Sequence, residues 1–143
     1  MRVHVLGYAI EIGESLIVES SEAIRSQLRE YAEGDRRTFD LTVHVVEGTT
    51  GAVMGAMTQI PFGETRSYGD IAAEIDTVPI AVGQACARNP VPVIVPCHRV
   101  VGSDGGLRGY SAAGGVETKR RLIEHEAEVR RHMSDRAQHR THR

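Results

Sequence analysis

Hydrophobic and polar residues alternate along much of the first 50 residues, which is the spacing of half-buried strands. The alternation predicts two short strands, over residues 1–13 with a break at Gly7 and over residues 15–20, and a further strand over residues 39–46. Between them, apolar residues recur at helical spacing and predict a helix over residues 21–32. Residues 47–51 are small, polar and glycine-rich, which predicts a linker. The first 50 residues are therefore expected to form a small α+β domain.

Beyond the predicted linker, the apolar spacing becomes mostly helical. Residues 52–60 form a short apolar segment that Pro61 ends, so a helix is expected there. Ser67 and Asp70 have the spacing of a capping box, which marks the start of another helix. A third helix is predicted over residues 79–88, because proline is tolerated in its first turn and an Asn-Pro pair follows it. Two short helices joined by a tight turn predict a helix-turn-helix.

The helix over residues 79–88 is unusually rich in alanine and glycine. Glycine at position 83 costs about 1 kcal/mol of helix stability relative to alanine, so a compensating role is expected. One interpretation is close contact with another helix in the core. The other is entry of a narrow helix into the minor groove of DNA.

The last part of the chain combines a glycine-rich loop region over residues 97–118 with a charged helix over residues 117–131. The tail is polar and rich in Arg and His, which favours disorder. The pattern thus predicts an α+β fold with three parts. They are an N-terminal domain over 1–50, a mostly helical domain with the helix-turn-helix over 51–128, and a disordered tail over 129–143.

Composition narrows the function classes only slightly. The chain has 143 residues, a formal charge of −2 and a pI near 6.4, so any contact with nucleic acid must come from a local patch. Its first residues have the pattern of neither a secretory signal nor a membrane-spanning helix. Only two cysteines occur, without the paired spacing of a zinc site. A cytoplasmic protein with reduced thiols, no metal and no membrane contact is expected.

The most distinctive segment is PVIVPCHRV, residues 92–100, where Cys97 stands directly beside His98 and Arg99. Only the thiolate form of cysteine is strongly nucleophilic, so a reactive thiol needs a nearby base or positive charge. Adjacency alone is weak support, because neighbouring side chains on an extended segment point to opposite faces. A buried apolar strand that ends at a proline, followed by Cys-His before a glycine-rich loop, favours a nucleophile. The other cysteine, Cys86, is expected to be inert and buried in its helix.

These residues carry a resemblance to a known family. The motif Pro96-Cys97-His98-Arg99 is preceded by Asn89-Pro90 and Ser67-Tyr68 and followed by Gly109-Tyr110 and Lys119 to Glu126. In that order it resembles the 6-O-methylguanine-DNA methyltransferases, also called methylated-DNA–protein-cysteine methyltransferases. The match runs from about Ile60 to Glu126, and residues 1–51 fit loosely as a short version of the variable N-terminal domain.

The resemblance implies DNA repair without a cofactor. Cys97 would take the alkyl group from O6 of guanine in one irreversible displacement that consumes the protein. His98 would act as base through a bound water, with Glu126 orienting its imidazole. Asn89 would belong to the hydrogen-bond network that holds the segment around Cys97.

The same resemblance implies how the substrate is bound. The damaged guanine must leave the duplex, because its O6 substituent is out of reach inside the stack. Tyr68 would donate a proton near N3 of the leaving guanine. The base pocket would be formed by Tyr110, the Ser111 amide and the carbonyl groups of Cys97 and Val100. Alternatively, both tyrosines are ordinary core aromatics and Glu126 is a solvated charge on its helix.

The implied partner is double-stranded DNA that contains a 6-O-alkylguanine, bound through its minor groove by a monomer. The residues expected to contact DNA are Arg99, Ile80, Ala81 and Gly83. Ile80 departs from the family, which usually has an arginine there that replaces the flipped nucleotide. An apolar wedge can part base steps but cannot hydrogen-bond the orphaned base, so weaker capture is expected.

Two other functions remain open at this point. A damage-binding protein that resembles the alkyltransferase-like proteins would recognise the lesion without reacting, although such proteins replace the cysteine that is present here. A thiol hydrolase built on Cys97 and His98 would turn over repeatedly and would not need DNA. Stoichiometry separates these functions, because only an alkyl acceptor stops after one event per chain.

Overall fold

The computed structural model describes residues 1–107 and 115–141. In these ranges it contains five α-helices and two small sheets, which confirms the α+β prediction. In chain order the elements are β1 (Arg2–Val5), β2 (Tyr8–Glu11), α1 (Ser21–Ala32), α2 (Gly48–Thr58), β3 (Arg66–Ser67), α3 (Tyr68–Glu74), α4 (Pro79–Ala87), β4 (Val100–Val101) and α5 (Val116–Thr141). Single turns of 3₁₀ helix cover Glu14–Leu16 and Cys97–Arg99.

The chain begins with the hairpin β1–β2, whose strands pair antiparallel with Val3 opposite Ile10. Its two-residue turn places Leu6 and Gly7 at positive φ, the geometry that matches the twist of paired strands. The hairpin buries one face against α1, which spans the predicted residues. The helix was predicted correctly, whereas the first predicted strand, residues 1–13, is in fact a hairpin of two strands that turns at Leu6 and Gly7.

Three predictions for residues 15–51 are wrong. The second predicted strand is absent: Ser15 and Leu16 belong to the 3₁₀ turn, and Ile17 makes only a single bridge, with Val43, which is also the only bridge that residues 39–46 contribute in the described ranges. A segment with alternating residues forms a strand only when it has a partner of matching length. The predicted linker is also wrong, because α2 already begins at Gly48.

Gly51 explains why the start of α2 looked like a linker. A side-chain carbon at Gly51 would lie 1.5 Å from the carbonyl oxygen of Val46, so only glycine lets the helix begin so close to the preceding chain. The residue that resembled a flexible joint in the sequence is required for close contact.

The two predicted short helices are present as α3 and α4. The capping box is confirmed: the Ser67 hydroxyl accepts from the Asp70 amide at 3.0 Å, and the Asp70 carboxylate accepts from the Ser67 amide at 3.1 Å. Helix α4 begins at Pro79 and packs against both α3 and α2. A parallel pairing of β3 with β4 brings the start of α3 beside the chain that follows Cys97.

One continuous apolar core joins residues 1–47, here called the N-terminal unit, to the helices that follow it. It includes Ile10 and Leu28 from the first part and Val82, Leu122 and Cys97 from the second. Helix α5 extends to Thr141 and so includes most of the residues predicted to form a disordered tail, a stretch without proline or glycine to end a helix. No helix in the described ranges has both the length and the apolar character needed to cross a membrane.

Candidate active site

Cys97 lies in a segment that is buried throughout residues 91–100. The predicted apolar strand before it is wrong, because these residues turn: the Val95 amide donates to the Val91 carbonyl at 3.0 Å. Proline on both sides of Val93–Val95 lacks the amide donors that a central strand needs. Val93 has φ +73°, which is an unfavourable backbone conformation for a β-branched residue.

Asn89 holds this turn closed with both ends of its side-chain amide. Its Nδ2 donates to the Val95 carbonyl at 2.9 Å, and its Oδ1 accepts from the Val91 amide at 3.1 Å. The N-terminal unit supports the same turn, since the Gly13 amide donates to the Pro90 carbonyl at 2.8 Å. The structure thus places Asn89 in a hydrogen-bond network that closes the turn before Cys97.

Glu126 of α5 is the centre of the site and is only 1% exposed. Its carboxylate accepts hydrogen bonds from five donors: His98 Nε2 (2.6 Å), Tyr31 Oη (2.7 Å), Arg99 Nε (2.9 Å), Arg99 Nη2 (3.1 Å) and the Gly63 amide (2.9 Å). Burial acts to raise the pKa of Glu126, but the hydrogen bonds from His98 and Arg99 and the positive charge of Arg99 outweigh it and hold the pKa well below its usual range. The interpretation of Glu126 as a solvated helix charge is wrong.

His98 is fully buried, and burial lowers its pKa despite the opposing hydrogen bond to Glu126. The imidazole is therefore neutral at rest. Because Nε2 donates to the ionised carboxylate of Glu126, the proton of the neutral ring is on Nε2. Nδ1 is buried and has no hydrogen-bond partner among the described residues, so the site holds a basic nitrogen ready to accept a proton.

Cys97 is a free thiol with 3% of its surface exposed. Burial raises its pKa, and this rise is opposed by a hydrogen bond from Asn89 and by the charge of Lys119. The resting site thus pairs an uncharged thiol with an uncharged imidazole in one 3₁₀ turn. Cys86 is also a buried free thiol. Its burial, and to a lesser extent the nearby Cys97, raise its pKa to about 12, which fits the inert role predicted for it.

Tyr68 is the first residue of α3, and its hydroxyl accepts a hydrogen bond from Lys119 Nζ at 3.1 Å. Lys119 is 1% exposed, and its ammonium group also lies over the Tyr68 ring, 5.4 Å from the centroid. Sequence reasoning gave Lys119 no role. Its spacing from Leu122 and Glu126, at i+3 and i+7, places all three on one face of α5 and was the signal that could have found it.

Arg99 occupies a different place from the DNA contact predicted for it. Its side chain is buried and binds inward, to Glu126 and to the Ile60 carbonyl at 2.7 Å. A guanidinium with these partners holds the site together. Val100 is buried in β4, and the predicted pocket residues Tyr110 and Ser111 lie outside the described residues.

The start of α4, which carries three of the residues predicted to contact DNA, is largely exposed. Ile80 is 75% exposed and Val78, just before the helix, is 60% exposed, whereas Val82 on the opposite face is buried. Ala81 and Gly83 are partly exposed, and a side-chain carbon added at Gly83 would meet nothing within 4 Å. Close packing against another helix therefore does not explain why residue 83 is glycine. Of the two interpretations of this helix, contact with an external partner is the one that remains.

Comparison with known proteins gives one consistent result. Residues 49–128 match the family model of the 6-O-methylguanine DNA methyltransferase, DNA binding domain. A methylated-DNA–protein-cysteine methyltransferase of Methanosarcina acetivorans is 43% identical over 121 residues, which cover 80% of this chain and 75% of that protein. The inducible protein of the same name from Bacillus subtilis is 41% identical over 117 residues, which cover 77% of this chain and 64% of that protein.

Solved structures agree with the sequence relatives. The crystal structure of Mycobacterium tuberculosis OGT in complex with DNA is similar with a TM-score of 0.70 and 40% identity, over 76% of this chain and 68% of that one. The chain is therefore shorter than these relatives and corresponds to about two thirds to three quarters of their length.

Proposed function

Because the chain belongs to the 6-O-methylguanine DNA methyltransferase family, we propose that it repairs DNA by transferring an alkyl group from guanine O6 to its own Cys97. The observation that carries the proposal is the buried 3₁₀ turn in which Cys97 precedes His98, with His98 Nε2 bound to Glu126 at 2.6 Å. These are the nucleophile, base and orienting carboxylate of a thiol site.

Proton transfer prepares the nucleophile. The thiol proton of Cys97 passes through a bound water to Nδ1 of His98, since Nε2 is already protonated and bound to Glu126. The ionised carboxylate then stabilises the imidazolium that forms. The thiolate attacks the alkyl carbon; a C–S bond forms, the C–O6 bond breaks, and its electron pair stays with guanine.

Tyr68 neutralises the departing base. Its hydroxyl proton goes to guanine near N3, so that a neutral purine leaves. The phenolate left behind lies 3.1 Å from the ammonium group of Lys119, which stabilises the negative charge. The buried Lys119 thus supports both the thiolate of Cys97 and the donor that assists departure.

The reaction ends with a thioether on Cys97. The lesion supplies the alkyl group and the chain supplies the sulfur and the proton, so the atoms balance without a cofactor. A thioether is not hydrolysed under these conditions, and each chain therefore acts once.

Helices α3 and α4 are proposed to act as a helix-turn-helix that enters the minor groove of duplex DNA. Support comes from the exposed apolar residues Val78 and Ile80, from the open face at Gly83, and from the relative solved with DNA. Ala81 lies on the same turn and is proposed to contact the groove. The guanine is flipped into a pocket that includes Tyr110, Ser111 and the carbonyl groups of Cys97 and Val100.

The wider assignments are proposals of the same kind. Residues 1–50 correspond to the family's variable N-terminal domain and residues 51–128 to its alkyltransferase domain, the second supported by the family match over residues 49–128. The protein is proposed to act as a monomer in the cytoplasm.

Two alternatives are less well supported. A damage-binding protein without chemistry has no use for a buried thiol beside a His–Glu pair. A thiol hydrolase would turn over repeatedly and would not need DNA, whereas residues 49–128 match a DNA binding domain and the relatives are named as methyltransferases.

The test is the mass of the intact protein after incubation with a duplex that carries one 6-O-methylguanine. We expect one added methyl group per chain, at saturation, and none in Cys97→Ser. Cys86→Ser is the matched control and should gain the methyl group as the unaltered protein does. Tight binding without a mass increase would establish the damage-binding alternative, and continued product release beyond one event per chain would establish the hydrolase.

A further inference from the structure

We propose that Tyr31, in the N-terminal unit, is a positioning residue for alkyl transfer: its hydroxyl shares the carboxylate of Glu126 with His98 and so sets how strongly His98 holds a proton. This inference rests on the proposed function and extends it to a part of the chain that fits the family only loosely. It makes the N-terminal unit part of the catalytic machinery.

The hydrogen bond is short and fully buried. Tyr31 is 0% exposed, and its Oη donates to Glu126 Oε2 at 2.7 Å. The same oxygen accepts from His98 Nε2 at 2.6 Å. Two donors, one from α1 and one from the Cys97 turn, therefore compete for the charge of one carboxylate oxygen.

Tyr31 is held in place by its surroundings on every side. Its ring lies 5.7 Å from Phe39, 6.1 Å from Phe62 and 5.2 Å from the imidazole of His125, measured between ring centroids. Its carbonyl accepts from His125 Nε2 at 2.7 Å, so α5 binds both the main chain and the hydroxyl of this residue. The hydroxyl cannot turn away from Glu126 without movement of several buried groups.

The effect on His98 has a definite direction. A donor on Oε2 withdraws negative charge from the oxygen that stabilises the imidazolium, so Tyr31 weakens the hold of Glu126 on the extra proton. The other charged groups that act on His98 are Arg99 and Lys119, which also disfavour its charged form. Loss of the Tyr31 hydroxyl should therefore raise the pKa of His98 and leave more of it protonated near neutral pH.

The direct experiment compares Tyr31→Phe with the unaltered protein and with Tyr8→Phe, a control in the hairpin. First, the pKa of His98 is measured by NMR on protein with labelled histidine, which does not require alkyl transfer. Second, the single-turnover rate on a 6-O-methylguanine duplex is measured from pH 5 to pH 9. We expect Tyr31→Phe to raise the pKa of His98 by about one unit. The acid limb of the rate profile should move to higher pH by the same amount. Tyr8→Phe should change neither the pKa of His98 nor the position of the acid limb.

A second variant keeps the hydroxyl and reverses the sign. With 3-fluorotyrosine at position 31 the phenol is a stronger donor, so the pKa of His98 should fall. This variant retains the aromatic contacts and so tests the inference even where Tyr31→Phe does not fold. Unchanged titration of His98 in both variants, or a rate profile that is lowered without movement along the pH axis, would overturn the inference. If the unaltered protein transfers no alkyl group, the proposed function fails while the titrations still decide the link from Tyr31 to His98.

Discussion

Burial keeps His98, Cys97 and Cys86 uncharged in the folded protein, and this makes stability depend on pH in both directions. The pKa of His98 is lowered on folding, so the unfolded chain binds more protons below pH ~6.5 and stability falls there. The pKa values of both thiols are raised on folding, so the unfolded chain loses protons first above pH ~8.5 and stability falls again.

We therefore expect the free energy of unfolding to be greatest between about pH 6.5 and pH 8.5. Urea unfolding at constant ionic strength across pH 5 to pH 10 measures it. In Cys86→Ala the loss on the alkaline side should be smaller, because one of the two buried thiols is gone. A profile that is flat above pH 8.5 would contradict the assignment of buried, protonated thiols.

Glu126 is expected to contribute more to stability than any exposed carboxylate of α5. Glu126→Gln leaves the buried guanidinium of Arg99 without its counter-charge, and removal of one partner of a buried ion pair costs about 3–5 kcal/mol. Glu128→Gln is the matched control on the same helix. Its ion pair with Arg121 is exposed and long, 3.8 Å, so a loss of about 0–1 kcal/mol is expected. Equal losses in urea unfolding would mean that Glu126 is not the centre of the site.

At the scale of elements, α4 exposes a glycine where a stable helix would have alanine. Gly83→Ala should stabilise the protein by about 1 kcal/mol, because nothing within 4 Å of the added carbon opposes it. If α4 lies against DNA, the same methyl group should weaken duplex binding, by about tenfold for a loss of 1.4 kcal/mol.

Gly55 provides the control for this prediction. It is an exposed glycine of α2 that also has nothing within 4 Å of an added carbon. Gly55→Ala should stabilise the protein to the same extent and leave duplex affinity unchanged. Thermal unfolding and fluorescence anisotropy with labelled duplex measure the two effects. Parallel behaviour of the two variants in both assays would place the DNA on another surface.

Ile80 at the start of α4 tests how the flipped base is captured. Ile80→Arg should raise the rate of alkyl transfer from duplex DNA, because a guanidinium can hydrogen-bond the orphaned base whereas an isoleucine cannot. Transfer from a single-stranded oligonucleotide, which leaves no orphaned base, should not change. Val78→Arg is the control, because it adds the same positive charge two residues earlier. It shows how much of any gain comes from general attraction to the DNA phosphates rather than from contact with the orphaned base. Equal gains in both variants would exclude a role in base capture.

The elements differ in how far the sequence could predict them. The capping box at Ser67 and Asp70 and the helix over Ser21–Ala32 depend on neighbouring residues, and both were predicted correctly. The strand over 39–46 and the linker over 47–51 were predicted incorrectly because pairing and close contact with distant chain decide them. Local pattern is a sufficient guide only where the interactions are local.

The site shows the same division. The motif around Cys97 and His98 indicated the candidate nucleophile, and the family resemblance supplied Glu126, Asn89 and Tyr68 as candidate site residues. Tyr31 was missed because its partner is 95 residues away, and helical spacing places it on a buried face without showing what it binds. The inward position of Arg99 likewise depends on contacts made only in the folded chain.

At the scale of the whole molecule, the two parts of the chain share one apolar core and are linked by the Tyr31–Glu126 hydrogen bond. We therefore expect a single unfolding transition, because neither part can lose its structure without exposing the other. Far-ultraviolet circular dichroism follows the helices and near-ultraviolet circular dichroism follows the tyrosines. Coincident urea curves are expected, and two separated transitions would show that the N-terminal unit folds independently.

The membership of Cys97 in this shared core has a consequence after repair. An alkylated cysteine carries at least one additional carbon, and a close-packed interior accepts extra methyl groups at a cost of about 1–3 kcal/mol. A chain that has reacted should thus unfold more often than a fresh one. Proteases that digest transiently unfolded chains would then remove alkylated molecules before unreacted ones. The lifetime of each chain would thus depend on whether it has reacted, and no additional degradation signal would be needed.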